Sequence, residues 1–211
     1  MKTDRLIEIL STNIEPVERG RIGKSIALAL GLGALGAFCA MLAIFGPRAD
    51  FGSHPYSLAL KLFFTLTLLG AGTAYLARLM HPGRQGRALL GLISLPFLVL
   101  AAAAAAALLL APPSSWRGMV LGAQWASCLY CIPLFALIPF AALIRTLRNG
   151  APTNLAAAGA VAGLVAGAVG AVAYSFHGAD DSVPFIAVWY GAAIGLCALV
   201  GAILGPRLLK W

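Results

Sequence analysis

Six apolar stretches, each about 20 residues or longer, run through this chain at residues 24–46, 58–80, 88–111, 119–144, 152–176 and 184–208. A helix rising ~1.5 Å per residue needs about 20 such residues to cross ~30 Å of hydrocarbon. Every stretch qualifies, so the chain is read as all-α: a polytopic membrane protein built as a six-transmembrane-helix bundle. Soluble enzyme folds are excluded for most of its length. Composition agrees, with 61% hydrophobic and 10% charged residues and a mean hydropathy of +0.91, against roughly 25% charged residues in a soluble domain.

The net charge of +8 on 211 residues has a topological cause. Twelve of the 15 Lys and Arg residues fall at 2–24, 78–87, 145–148 and 207–210. On an alternating topology all of these lie on one side, leaving Arg48, Lys61 and Arg117 on the other. The positive-inside rule makes the crowded side cytoplasmic, so both termini are read as inside, N-in/C-in. The lipid bilayer accounts for the basic balance, and no direct nucleic-acid binding is expected. The polar first 20 residues, with Asp4, Glu8, Glu15 and Glu18, lack the basic start and short apolar core of a cleavable leader. The first spanning segment is expected to act as the insertion signal.

Two regions follow: a cytoplasmic N-terminal amphipathic segment at 1–23, and a transmembrane domain at 24–211. In the first, Leu6, Ile9 and Leu10 share one face of a helix started by Thr3 and Asp4 and ended near Pro16. Such a helix can rest on the membrane or dock into a cytosolic partner. The four acids favour a protein partner over the negatively charged inner leaflet.

Within the spanning segments, Gly31-x-Gly33-x-x-Gly36 has the spacing of a dinucleotide loop. That motif needs a strand before a helix, so here it is read as helix packing. Gly159, Gly163 and Gly167 form successive G-x-x-x-G steps, matched by Gly191/Gly195 and Gly201/Gly205, and predict close packing of segments five and six. Pro96, Pro133 and Pro139 predict kinks. Ionisable residues are nearly absent from the segments. Lys61 is expected to snorkel from an outer end, and Trp189, Tyr190 and Trp211 to anchor at interfaces.

The candidate chemistry is sparse. Cys128 and Cys131 stand one helical turn apart, able to pack, to bind a soft metal with a third ligand, or to act as a redox pair. His177, Asp180 and Asp181 share the last outer loop and can contribute to a divalent site; alternatively Asp181 or Ser182 caps segment six, with Pro184 in its first turn. No complete metal-ligand set, nucleophile–base pair or phosphate loop is present. No cofactor is expected, and the metal question stays open.

Certain stretches carry a resemblance: Met1-Lys2-Thr3-Asp4 with Leu6-Ile7; Arg148-Asn149-Gly150-Ala151-Pro152-Thr153; Tyr174-Ser175-Phe176-His177; Asp181-Ser182-Val183-Pro184 through Trp189-Tyr190; and Leu204-Gly205-Pro206-Arg207. Together they resemble the NrsF family of bacterial inner-membrane proteins with six spanning helices. The resemblance implies an anti-sigma factor, not an enzyme, that holds an extracytoplasmic-function (ECF) sigma factor at the inner membrane. The N-terminal segment would supply the contact, and stress from heavy metal or oxidant would end it. It further implies sensing through one cysteine in segment four and another just after the histidine before segment six. Cys128 fits the first position; Gly178 occupies the second, leaving Cys131 as the alternative. Cys128, Cys131, His177 and Asp181 are therefore the candidate sensing residues. Two rival readings are a small-solute or metal-ion transporter and a membrane thiol oxidoreductase using Cys128 and Cys131.

Overall fold

The computed structural model describes residues 21–46, 55–80, 87–150, 152–178 and 180–210. The expected docking residues Leu6, Ile9 and Leu10, and the interfacial Trp211, lie outside the described residues. Those described form helices and connecting turns without a strand. We number the helices α1 (Arg21–Ile44), α2 (Pro55–Leu79), α3 (Arg87–Leu110), α4 (Trp116–Leu121), α5 (Trp125–Leu147), α6 (Leu155–Ser175) and α7 (Val183–Leu208). Six spans are long and apolar enough to cross a membrane, one of them combining α4 and α5.

The fourth segment departs from expectation, because it is two helices. Gly122 takes φ +57°, which ends α4 before α5 starts at Trp125. A residue with a Cβ rarely adopts that conformation. The prolines, by contrast, stay inside helices: Pro96 in α3 and Pro133 and Pro139 in α5.

Helix α6 is the hub, most of it buried, and it packs against α7, α5, α2 and α1. Its composition explains this position. A run of Ala, Gly and Val gives a thin cylinder that neighbours can approach on every side. Gly159 and Gly163 lie against the α7 backbone at Gly201 and Cys197, and Gly205 lies against the Gly159 backbone. The expected pairing of segments five and six is therefore made by Gly159 and Gly163 with Gly201 and Gly205. The second expected step is different: Gly195 faces open space, and a Cβ on Gly191 would stand an unstrained 3.8 Å from the Phe97 ring.

The Gly33-Gly36 pair on α1 is a packing device as read. A Cβ on Gly33 would stand 2.6 Å from Pro139 Cα, and one on Gly36 would stand 2.9 Å from Ile138 Cγ2. Gly72 similarly seats α2 against Val165 of α6. Helix α3 lies outside this core, touching α2 and the start of α7. Leu28, Leu35, Leu98, Leu109 and Ile203 present an apolar exterior suited to lipid.

Four Thr and Ser hydroxyls within the spans are satisfied inside their own helices. Thr65 donates to the Lys61 carbonyl, Thr67 to Phe63, Thr73 to Leu69 and Ser175 to Ala171. They do not line a common polar route.

Candidate functional site

The polar chemistry of the described bundle gathers at one end, where the loop before α7 meets α2 and the α4–α5 break. Ser182 caps α7: its hydroxyl accepts from the Phe185 N–H, and Pro184 occupies the first turn. The same hydroxyl donates to the Met119 carbonyl of α4. Trp189 Nε1 donates to the Val120 carbonyl at 2.8 Å. Both oxygens are among the carbonyls that a helix C-terminus leaves without intrahelical partners.

Asp180 serves the other side of the break. Its carboxylate accepts from the Gln124 N–H at 2.6 Å and from the Ala123 N–H at 3.1 Å. A negative charge at the start of α5 is favoured by the helix dipole. The segment from Asp180 to Trp189 thus ties off both sides of the Gly122 break. Gly122 leaves the room for it, since a Cβ there would stand 2.7 Å from the Phe185 ring and 2.8 Å from the Asp180 carboxyl.

Asp181 turns elsewhere. Its Oδ1 lies 2.8 Å from Lys61 Nζ, and the lysine also donates to the Gly178 carbonyl at 3.1 Å. Lys61 is 1% exposed. It does not snorkel as expected, because its apolar stem and charged head both point into the bundle toward a carboxylate 120 residues away. Asp180 and Asp181 therefore have separate protein partners. Among the described residues no group of three His, Cys, Asp or Glu side chains is placed to hold a metal.

His177 stacks on Phe45 at the end of α1, with ring centroids 4.6 Å apart. Tyr174 and Tyr190 lie beside it, their centroids 6.1 Å apart, and both are buried. Tyr190 is thus a core residue and not the interfacial anchor expected from sequence. A π-helical turn over Ile186–Tyr190 turns it inward; such turns recur at functional sites. Cys128 and Cys131 are free thiols on α5, both buried. Cys128, one turn into α5, lies in the neighbourhood of Lys61, Asp180 and both tyrosines. Of the candidate sensing residues, Cys128, His177 and Asp181 thereby belong to one polar end, and Cys131 lies one turn deeper. Lys61, Tyr174 and Tyr190 are the members that sequence reasoning missed. A lysine inside an apolar run was the available signal for the first.

The opposite end is basic. Lys24, Arg78, Arg145, Arg148, Arg207 and Lys210 are all exposed there, and Arg148 Nε donates to the Leu208 carbonyl at the end of α7.

With this geometry in place, comparison with known proteins is informative. The profile of the NrsF family, described as negative regulator of sigma F, matches residues 10–211. A probable anti-sigma-F factor NrsF from Azospira oryzae is 37% identical over 216 residues, covering the whole of both chains. An anti-sigma-F factor NrsF from Caulobacter vibrioides is 29% identical over 215 residues, again covering both in full. No solved structure matches.

Proposed function

Since this chain belongs to the NrsF family of negative regulators of sigma F, we propose that it is a membrane-embedded anti-sigma factor. It holds a sigma factor of the ECF class against the bacterial inner membrane and frees it under stress. The observation that carries this reading is the end-to-end similarity to two anti-sigma-F factors. The bundle supports it: spans of lipid-facing residues, and Thr and Ser hydroxyls bonded within their own helices, suit a regulator better than a conduit.

Both termini are proposed to be cytoplasmic. Six exposed cations at the Arg148 end support that orientation. The N-terminal segment, residues 1–23, would then reach the sigma factor, with Leu6, Ile9 and Leu10 as the apolar face of a helix laid in a groove. The cations around Arg148 would add charge attraction to acidic surface on the partner. The opposite end would receive the signal through Cys128, Cys131, His177 and Asp181. A ligand or oxidant there acts only if it favours one of two bundle arrangements over the other.

The test is affinity purification of the full-length protein and of a residues 2–20 deletion from unstressed host membranes. A sigma factor retained by the full-length form alone supports both the regulator and its docking segment. No sigma factor with either form overturns the reading.

A further inference from the structure

The Tyr174, Tyr190 and His177 cluster contains a chemical imbalance that the regulator reading does not use. The Oη atoms of Tyr174 and Tyr190 and the Nδ1 of His177 are buried, and none has a hydrogen-bond partner among the described residues. Tyr174 is 1% exposed and Tyr190 fully buried. Ser175 lies near Tyr190; its hydroxyl donates to the Ala171 carbonyl and its oxygen can still accept from the Tyr190 O–H, so Tyr174 and His177 carry the imbalance most firmly.

One orphaned buried polar group costs about 1–3 kcal/mol. Three within one cluster would be a heavy burden on a bundle, and native proteins meet such sites with internal water, which typically makes about three hydrogen bonds. Tyr174 and Tyr190 both border Gly178, and His177 precedes it in the chain. Tyr174 and His177 ring centroids are 6.1 Å apart. A Cβ on Gly178 would stand 3.2 Å from Tyr190 Oη and 3.0 Å from the Tyr174 ring. The Gly178 carbonyl already accepts from Lys61, so the surroundings are polar.

We propose that Tyr174, His177 and Tyr190 form an internal binding site for water-sized, uncharged hydroxylic molecules, held by ordered water at rest. Phenols donate and accept, and an imidazole nitrogen does either according to its tautomer, so the donor set matches a small O–H ligand. The site lies beside Cys128, a thiol with no exposed surface. It therefore gives water-borne molecules of that size a foothold in a core otherwise closed to them. This inference stands apart from sigma binding.

The test is X-ray hydroxyl-radical footprinting of the full-length protein in lipid nanodiscs, read by mass spectrometry. Bound water generates radicals in place, so Tyr174 and Tyr190 should be modified several-fold faster than Phe135, which is equally buried in apolar surroundings. Thermal unfolding of Tyr174→Phe provides a second reading, since Tyr174 has no neighbouring hydroxyl placed to accept from it. An occupied site loses a hydrogen bond and the variant unfolds at lower temperature. A dry site sheds an orphaned hydroxyl and the variant unfolds at higher temperature. Modification no faster than at Phe135, or a Tyr174→Phe protein of raised melting temperature, overturns the proposal.

Discussion

The ammonium of Lys61 lies 2.8 Å from the carboxylate of Asp181, with the lysine 1% and the aspartate 19% exposed. The pair joins α2 to the loop that starts α7. Removing one partner of a buried pair leaves the other charge poorly compensated, at a cost of about 3–5 kcal/mol. Partial exposure of Asp181 puts Lys61→Met at the lower end, about 3 kcal/mol. The check is denaturant unfolding in detergent. Adding Asp181→Asn to Lys61→Met should recover part of the loss, and strict additivity would show that the two side chains do not interact.

Asp180 holds the start of α5 through the Ala123 and Gln124 N–H groups. Hydrogen bonds to a charged acceptor contribute about 1.5–3 kcal/mol. Asp180→Ala should therefore lower stability by about 2 kcal/mol and speed amide hydrogen exchange at residues 123–125, while exchange in the middle of α6 is unchanged. Uniformly faster exchange would show that Asp180 supports the whole bundle rather than the break.

The contrast between two glycine positions is testable. Gly163→Val forces a side chain into the α7 backbone at Cys197, and should prevent native assembly, seen as loss of a monodisperse peak in size-exclusion chromatography. Gly195→Ala meets nothing within 4 Å and should shift the melting temperature little, with a small gain from better helix propensity. Equal tolerance of both changes would contradict the backbone-to-backbone packing of α6 on α7.

Gly178→Cys places a thiol at the second position that the resemblance implies for sensing. Its Cβ is tight against Tyr174 and Tyr190, so both rings must give by a few tenths of an ångström. Overpacking of that kind costs about 1–3 kcal/mol, and the variant should fold with a reduced melting temperature. Its sigma-dependent promoter should respond more strongly to a thiol oxidant than that of the unaltered protein. An unchanged response in a folded variant would argue against sensing at this end.

Much of the fold is written in hydrophobic run length, which is local. Spans read at 88–111, 152–176 and 184–208 correspond to helices Arg87–Leu110, Leu155–Ser175 and Val183–Leu208. The α6–α7 contact was legible because glycine spacing reports how near a neighbour can come. The α4–α5 break was not, since one positive-φ glycine looks like any other glycine in an apolar run. Lys61 was misread for a related reason: snorkelling is a rule about one helix end, whereas its partner lies 120 residues away. Tyr190 was misread because an aromatic near a span end serves equally as anchor or core, and the π-helical turn that decides between them leaves no clear mark in composition.

The glycine contact of α6 with α7 has a mechanical consequence. Two helices whose backbones touch have no side-chain layer to repack between them, so they translate and tilt as one piece. Gly170 seats α6 against the α5 backbone at Ile132 and Ala136 in the same way, so slack in the bundle lies elsewhere, at the borders where α1 and α2 meet this piece. Helix α1, which continues the N-terminal segment, bears chiefly on α5 through Gly33 and Pro139. A push on the Asp180 loop therefore has a short route to the opposite face of the bundle: into the start of α5, along that helix, and across to α1.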